Sequence, residues 1–183
     1  MRSLIAFYKR EFKLLWENPR EYLYSFTYSA TKTVHIGSYD PEVTKLGERL
    51  VAQIKQSHPE LDVRFLGSAA LKIAGQRDID ILVGCKPDFF PQYEPTLVTL
   101  FGPAQKKRKQ FMEWHLEIDQ CDVEILVVNP NSPMFKDPIK TCETLQQNPL
   151  LRAQYELLKR DSNGISVREY KKRRLVFFHQ ISS

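Results

Sequence analysis

The sequence has few of the features that mark secreted, membrane-spanning or repetitive proteins. Its three cysteines, Cys85, Cys121 and Cys142, are odd in number and far apart, so they match neither a disulfide framework nor a zinc-ligand pattern. No apolar run approaches the length of a membrane span, and the apolar run near the start is shorter than that of a signal peptide. There is no internal repeat and no low-complexity linker. These absences predict a cytoplasmic protein without a transmembrane segment.

The composition is that of a folded chain with a modest basic excess. The chain has 183 residues, of which 42% are hydrophobic and 27% charged, enough for one compact domain with a buried core. Much of the net charge of +5 lies in two basic clusters, residues 106–109 and 171–174. Such clusters attract phosphates, but a net charge this small does not by itself indicate a nucleic-acid-binding protein.

Helical and strand periodicities predict two parts. Residues 1–38 comprise an amphipathic helix, with apolar residues at helical spacing between 4 and 16, followed by an irregular lead-in. Residues 39–183 form a single domain, with a sheet core to about residue 129 and a helical tail over 130–183. The predicted elements are a helix from Asp40-Pro41 to about 56, a strand at 62–66, a brief helix at 68–74, a strand at 79–83, a short helix at 96–101 after three chain-breaking prolines, a hairpin over 107–128, and helices at 138–147, 150–160 and 166–180.

Two carboxylates interrupt an otherwise apolar strand. Asp78 and Asp80 are two residues apart, and alternate strand residues project from one face about 6.6 Å apart. Two such carboxylates repel each other, and a divalent cation removes the conflict. Mg²⁺ in proteins prefers one or two carboxylates together with substrate phosphates. The pair therefore predicts a metal site.

A third carboxylate for this site is expected from the strand at 121–128. Glu124 is flanked by Val123 and Ile125, deep in the apolar run, where a structural role for a carboxylate is harder to explain. Asp122 lies nearer the turn. Glu124 is therefore the favoured third ligand, and Asp122 is the alternative.

The Gly67-Ser68 pair upstream predicts a phosphate-binding turn. Gly67 lets the backbone approach a phosphate closely, since it has no side chain. Ser68 offers a hydroxyl and N–H groups at the start of the predicted brief helix. Nine residues separate Ser68 from Asp78, so the two groups can converge on one ligand.

Together these motifs resemble the nucleotidyltransferase superfamily, whose signature is Gly-Ser, a gap of this length, Asp-x-Asp and a later acidic strand residue. Within it, the chain is similar to the GrpB-like family over about residues 39–178, including the opening Tyr39-Asp40-Pro41 and the tail pieces at 155–159 and 169–171. It departs from that family where Phe65-Leu66 replaces a histidine before Gly-Ser, and where residues 69–72 replace Thr-Ala-Val-Pro.

The resemblance implies a fold and a reaction. The fold is an α/β (α+β) nucleotidyltransferase-like mixed sheet with helices on one side and a C-terminal helical segment. Asp78, Asp80 and Glu124 would bind Mg²⁺ (or Mn²⁺) as the catalytic metal ligands, and Gly67-Ser68 would bind the triphosphate of a nucleoside triphosphate. A nucleoside monophosphate would pass to an acceptor, which could be a small molecule, a protein or RNA. The alternative is a non-catalytic nucleotide- or RNA-binding or regulatory module that retains the fold.

Overall fold

The structure, a computed structural model, describes residues 23–182, apart from the side chain of Ser182. The amphipathic helix predicted over 4–16 lies outside the described residues. Within them, the chain divides into two compact units, one of residues 37–152 and one that combines residues 23–36 with 153–182. The predicted domain boundaries, 1–38 and 39–183, stay a prediction.

Six helices and five strands make up the described chain. The helices are α1 Pro41–Ser57, α2 Gly67–Leu71, α3 Phe90–Phe101, α4 Pro133–Gln147, α5 Pro149–Arg160 and α6 Val167–Ser182, with 3-10 turns at Ser25–Thr27 and Pro87–Phe89. The strands are β1 Asp62–Leu66, β2 Asp78–Gly84, β3 Lys106–Lys107, β4 Phe111–Ile118 and β5 Cys121–Val128.

The strands form one mixed sheet in the order β1-β2-β5-β4-β3. β2 and β5 run parallel, whereas β1–β2, β5–β4 and β4–β3 are antiparallel pairs. The turn between β4 and β5 is Asp119-Gln120, and both residues have positive φ, 52° and 60°. Two such residues give a hairpin turn whose twist matches the strands, so the predicted hairpin is present.

One face of the sheet is covered by α1 and α3. Asp40 caps α1 by accepting a hydrogen bond from the Glu42 N–H, and Pro41 occupies the first turn, as the sequence predicts. The core on this face consists of apolar residues from both helices and from alternate positions of the strands, among them Leu46, Ile54, Leu97, Ile79, Ile81, Val123, Ile125 and Trp114. Because these strand residues are buried against the helices, the residues that alternate with them project from the opposite face.

On the opposite face, α4 covers only part of the sheet. Phe135 of α4 packs with Leu82 and Val128, at the end of the strands away from Asp78. The predicted fold class, a mixed sheet with helices and a C-terminal helical segment, is therefore confirmed. The observed fold differs from the prediction in that α4 packs on the second face, so the helices are not confined to one side.

Three helix boundaries differ from the predictions. α2 ends at Leu71 because Lys72 adopts a left-handed conformation, φ 57°, so the helix does not reach Ala74. α3 begins at Phe90, which makes the prediction of a broken chain up to residue 96 wrong. Pro91 lies in the first turn, where a missing N–H costs nothing, and Pro95 removes only one helical bond. α4 likewise starts earlier than predicted, at Pro133.

The second unit joins the lead-in to α6 through backbone hydrogen bonds. The Val34 N–H donates to the Ile165 carbonyl and the Gly164 N–H to the Val34 carbonyl, both at 2.9 Å. The Ser166 hydroxyl caps α6 by accepting from the Glu169 N–H at 3.2 Å. Across residues 23–182, no helix is both long and apolar enough to cross a membrane.

Candidate functional site

Strand register brings the predicted carboxylates onto one face of the sheet. In the parallel β2–β5 pair, Asp80 lies beside Glu124 and Asp78 lies beside Asp122. Paired residues in adjacent strands project to the same side. All four carboxylates therefore lie on the face opposite α1 and α3.

The two candidates for the third carboxylate differ in position rather than in face. Glu124 is half-buried and adjacent to Asp80, whereas Asp122 is exposed and adjacent to Asp78. The roles of these side chains as metal ligands stay predictions. Because Glu124 lies beside Asp80, it stays the favoured third carboxylate.

Gly67 lies directly against the carboxylate of Asp80. Its φ is +80°, a conformation that side-chain-bearing residues rarely adopt. A Cβ atom at Gly67 would also fall 2.2 Å from Asp80 Oδ2. The turn therefore requires glycine for two reasons, and it holds a backbone segment next to a carboxylate.

Ser68 is buried, and its hydroxyl donates a hydrogen bond to Asp78 Oδ1 at 3.1 Å. Gly75 packs closely on the other side, since a Cβ there would lie 2.3 Å from Ser68 Oγ. Ser68 is the second residue of α2, and no side chain caps that helix. The serine therefore orients a carboxylate, which its position in the sequence did not indicate.

The donor atoms of this site suit a hard divalent cation. Among the described residues, no group of three or more histidine, cysteine or acidic side chains could hold a metal ion by itself. Mg²⁺ usually takes one or two carboxylates and completes its shell with phosphate oxygens and water. Asp78 and Asp80, beside a glycine turn that leaves no room for a side chain, fit that requirement.

α4 borders the site on the Asp80 side. Burial raises the pKa of the Cys142 thiol to about 11, and the charges of Glu143 and Asp80 act in the same direction. Cys142 is therefore a neutral, buried thiol near the carboxylates.

β4 extends the polar rows of this face with two residues that do not belong to the predicted site. His115 lies opposite Glu124, and Glu117 lies opposite Asp122. The His115 ring contacts Glu113, whose carboxylate also accepts from Lys106 Nζ at 3.0 Å. The two-residue turn Asp119-Gln120 indicates that His115 pairs with Glu124 and Glu117 with Asp122, because a hairpin of known loop length fixes the register of both strands.

The carboxylate of Glu113 is held in its ionised form. Burial would raise its pKa, but hydrogen bonds from His115 and Lys106 outweigh burial, so the pKa of Glu113 is lowered. This edge of the face therefore carries a fixed negative charge with a cationic partner.

A cleft opens beside Ser68 and Asp78, on the side of Gly75. It is bounded by the lead-in at Ser38–Asp40 and by Arg77, and its volume is about 20 Å³, room for roughly one water molecule. Arg77 has a left-handed backbone, φ 62°, and its guanidinium donates to Asp40 Oδ2 at 2.5 Å. The arginine thereby links the strand that bears Asp78 to the start of α1.

The sequence profile of the GrpB protein family matches residues 33–183. The chain therefore belongs to that family, which confirms the family predicted from the motifs. Among curated proteins, none matches this chain.

Two solved structures with low sequence identity are similar to part of the chain. A cytoplasmic RNA terminal U-transferase has 14% identity and a TM-score of 0.47, with 67% of this chain and 40% of that chain covered. The Cid1 poly(U) polymerase bound to Mg and 3'-dATP has 13% identity and a TM-score of 0.47, with 67% of this chain and 41% of that chain covered. The chain thus spans about two fifths of the length of these structures.

Proposed function

We propose that this GrpB-family protein is a metal-dependent nucleotidyltransferase, which transfers a nucleoside monophosphate from a nucleoside triphosphate to an acceptor. One observation carries the proposal. Asp78 and Asp80 share a face, the Gly67-Ser68 turn lies against both, and Glu124 lies beside Asp80 in register. A glycine turn against paired carboxylates is suited to holding a phosphate chain and its cation together.

Each residue has a role in the proposal. Asp78 and Asp80, with Glu124, would hold Mg²⁺ or Mn²⁺ and act as the catalytic carboxylates. The ion supplies positive charge to the attacking and leaving oxygens of the phosphoryl transfer. Gly67 would let the triphosphate approach the backbone N–H groups at Gly67-Ser68, and the Ser68 hydroxyl would orient Asp78.

The reaction is a substitution at the α-phosphorus. A bond forms between the acceptor's oxygen or nitrogen and the α-phosphorus, while the bond from that phosphorus to the bridging oxygen breaks. Pyrophosphate leaves, and the acceptor's proton passes to water. The acceptor could be a small molecule, a protein or RNA.

The test is incubation with each nucleoside triphosphate, labelled on the α-phosphate, and Mg²⁺ or Mn²⁺. Pyrophosphate release and transfer of label to the protein, to added RNA or to small molecules of a cell extract are followed together. Asp80→Asn should abolish both signals, because an amide is a poor ligand for Mg²⁺. The matched control is Asp88→Asn, an exposed aspartate on the 3-10 turn Pro87–Phe89, which should retain both signals.

Thermal melting distinguishes the proposal from the non-catalytic alternative. A ligand that binds only the folded state adds about 2.7 kcal/mol of stability at a hundredfold excess over its dissociation constant. Wild type should show this effect with Mg²⁺ and a triphosphate together. A shift without turnover would favour a nucleotide-binding module that lacks catalysis. No shift with any triphosphate would contradict the proposed enzyme and favour the non-catalytic alternative.

The proposed location is the cytoplasm. All three cysteines are free and buried, which suits a reducing compartment. Fractionation of cells followed by detection of the protein checks this.

A further inference from the structure

The connection between α2 and β2, residues 72–77, begins and ends with a left-handed residue that is not glycine. Lys72 has a φ of 57° and Arg77 a φ of 62°. A residue with a side chain keeps this unfavourable conformation only where the surrounding structure enforces it. Arg77 comes directly before Asp78, so the second of these residues lies where the strand with the proposed metal ligands begins.

The side chain of Arg77 contacts two other parts of the chain. Its Nη1 donates to Asp40 Oδ2 at 2.5 Å, at the start of α1. Its Nε donates to the Gln120 carbonyl at 3.4 Å and its Nη2 to Cys121 Sγ at 3.7 Å, where the β4–β5 turn leads into β5. A guanidinium is a planar fork of donors, so it can reach all three acceptors at once, whereas the single ammonium of a lysine cannot.

The backbone of Arg77 belongs to the same junction. Its carbonyl accepts a hydrogen bond from the Asp122 N–H at 3.2 Å, just before Asp78 pairs with Asp122 in the parallel ladder. The main chain and the side chain of Arg77 therefore both join the start of β2 to the start of β5. These two strands carry all three of the proposed metal ligands, Asp78, Asp80 and Glu124.

From these contacts we infer that Arg77 is a positioning residue, which holds the Asp78 carboxylate in the place that a divalent cation requires. The inference rests on the proposed function, since it needs Asp78 to be a metal ligand. Arg77 does not itself bind the cation, because a guanidinium has no acceptor atom. Its positive charge opposes the binding of a cation while its contacts place the ligand, so the two effects change the metal affinity in opposite directions.

The test measures the affinity of the whole chain for Mn²⁺. Calorimetry gives the dissociation constant of Mn²⁺ alone and of its complex with inorganic tripolyphosphate, which supplies phosphate oxygens without a choice of base. Circular dichroism at the same temperature selects conditions in which every variant is fully folded. A loss of stability therefore does not enter the comparison of affinities.

Two variants at position 77 separate positioning from charge. Arg77→Lys keeps the charge but lacks the planar fork, and Arg77→Gly removes the side chain while glycine adopts a φ of 62° without strain. Both should weaken Mn²⁺ binding about tenfold or more, the loss expected when a partner that orients a metal ligand is removed. Charge alone predicts the opposite for Arg77→Gly, because a positive charge near the cation is lost.

A role that acts through Asp78 predicts coupling between the two positions. Asp78→Asn removes the proposed ligand, so Arg77→Lys should weaken Mn²⁺ binding no further in that background. The matched control is Arg49→Ala. Arg49 Nη2 lies 3.1 Å from Asp119 Oδ2, so this ion pair also joins α1 to the β4–β5 turn, and its loss should leave the affinity unchanged.

The outcomes distinguish this inference from the proposed function. If wild type binds Mn²⁺ and both Arg77 variants keep its affinity, or if Arg77→Gly binds more tightly, the inference is wrong while the metal site stands. Equal losses for Arg77→Lys with and without Asp78→Asn, or an equal loss for Arg49→Ala, would also overturn it. If wild type binds Mn²⁺ neither alone nor with tripolyphosphate, the proposed function fails and the inference fails with it.

Discussion

The carboxylate of Asp80 occupies the space that a side chain at Gly67 would need. A Cβ atom there would fall 2.2 Å from Asp80 Oδ2, and the backbone at Gly67 has a φ of +80°. The turn and the carboxylate are therefore fitted to each other across two elements of the chain, the start of α2 and the strand β2.

We expect Gly67→Ala to lower the free energy of unfolding by about 2–5 kcal/mol. The left-handed backbone accounts for about 1–2 kcal/mol and the close contact for about 1–3 kcal/mol. Gly164→Ala is the control, because Gly164 has a φ of +81° but nothing within 4 Å of an added Cβ. Urea denaturation measures both variants.

The contact between position 67 and the Asp80 carboxylate predicts that substitutions at the two positions are coupled. In an Asp80→Ala background, Gly67→Ala should cost less than in wild type, because the oxygen that the new Cβ would meet is gone. Equal losses for Gly67→Ala and Gly164→Ala, with no coupling to position 80, would contradict the assigned contact.

The ion pair between Glu113 and Lys106 predicts a loss of stability in acid. The pKa of Glu113 is lowered in the folded protein, so its contribution is present above about pH 4.3, the unperturbed glutamate value, and disappears as the pH falls through the lowered pKa. Glu113→Gln should therefore lower the free energy of unfolding by up to about 1 kcal/mol at pH 7. The difference from wild type should vanish in strong acid.

The control for this prediction is Glu117→Gln. Glu117 lies on the same face of β4, is exposed, and forms no ion pair among the residues that the structure describes. Denaturation curves from pH 7 to pH 3 compare both variants with wild type. A difference at Glu113 that grew towards low pH would be incompatible with the lowered pKa.

Lys159 is buried, and its ammonium donates to Tyr170 Oη at 2.9 Å. The ammonium also lies 5.4 Å from the Tyr155 ring centre and 5.6 Å from that of Tyr170. Tyr170→Phe removes the accepting hydroxyl and should cost about 1–3 kcal/mol, because a buried charge loses its hydrogen bond. Lys159→Met fills a similar volume without charge and should cost less.

The two changes at Lys159 and Tyr170 should not add. Once methionine replaces Lys159, no buried ammonium is left to lose its hydrogen bond. The loss of unfolding free energy caused by Tyr170→Phe should therefore be smaller. Thermal or urea denaturation of the two single variants and the double variant measures this coupling. Strictly additive losses would show that the hydrogen bond contributes nothing to stability.

Phe135 should anchor α4 to the sheet. It is buried with Leu82 and Val128, and its ring lies 2.8 Å from where a Cβ of Gly84 would be. Phe135→Ala should lower the free energy of unfolding by about 3–5 kcal/mol, whereas Met134→Ala, at an exposed neighbour, should be nearly neutral.

Because α4 covers apolar strand residues, limited proteolysis should not release a stable fragment that ends near Asn129. We propose, as the sequence predicts, that residues 39–183 fold as one domain. A stable fragment of residues up to about 129 would contradict both the packing of α4 and that proposal.

Local patterns in the sequence sufficed for much of the fold. Asp40-Pro41 predicted the start of α1, and the Asp119-Gln120 turn between two alternating runs predicted the β4–β5 hairpin. The prediction that the prolines before Phe101 break the chain is wrong, because the rule that proline ends a helix takes no account of tertiary packing. Burial of Phe90, Tyr93 and Leu97 outweighs the single hydrogen bond that Pro95 removes.

By itself, the sequence determined that Asp78 and Asp80 share one face and that Gly67-Ser68 precedes them at a fixed distance. Those properties follow from the two-residue period of a strand and from the order of the chain. Only the tertiary structure decided that Glu124 lies beside Asp80, that Ser68 bonds to Asp78, and that Arg77 and Tyr39 line one cleft. Such pairings depend on the parallel register of β2 and β5 and on how helices pack, which are set by burial across distant segments rather than by any local pattern.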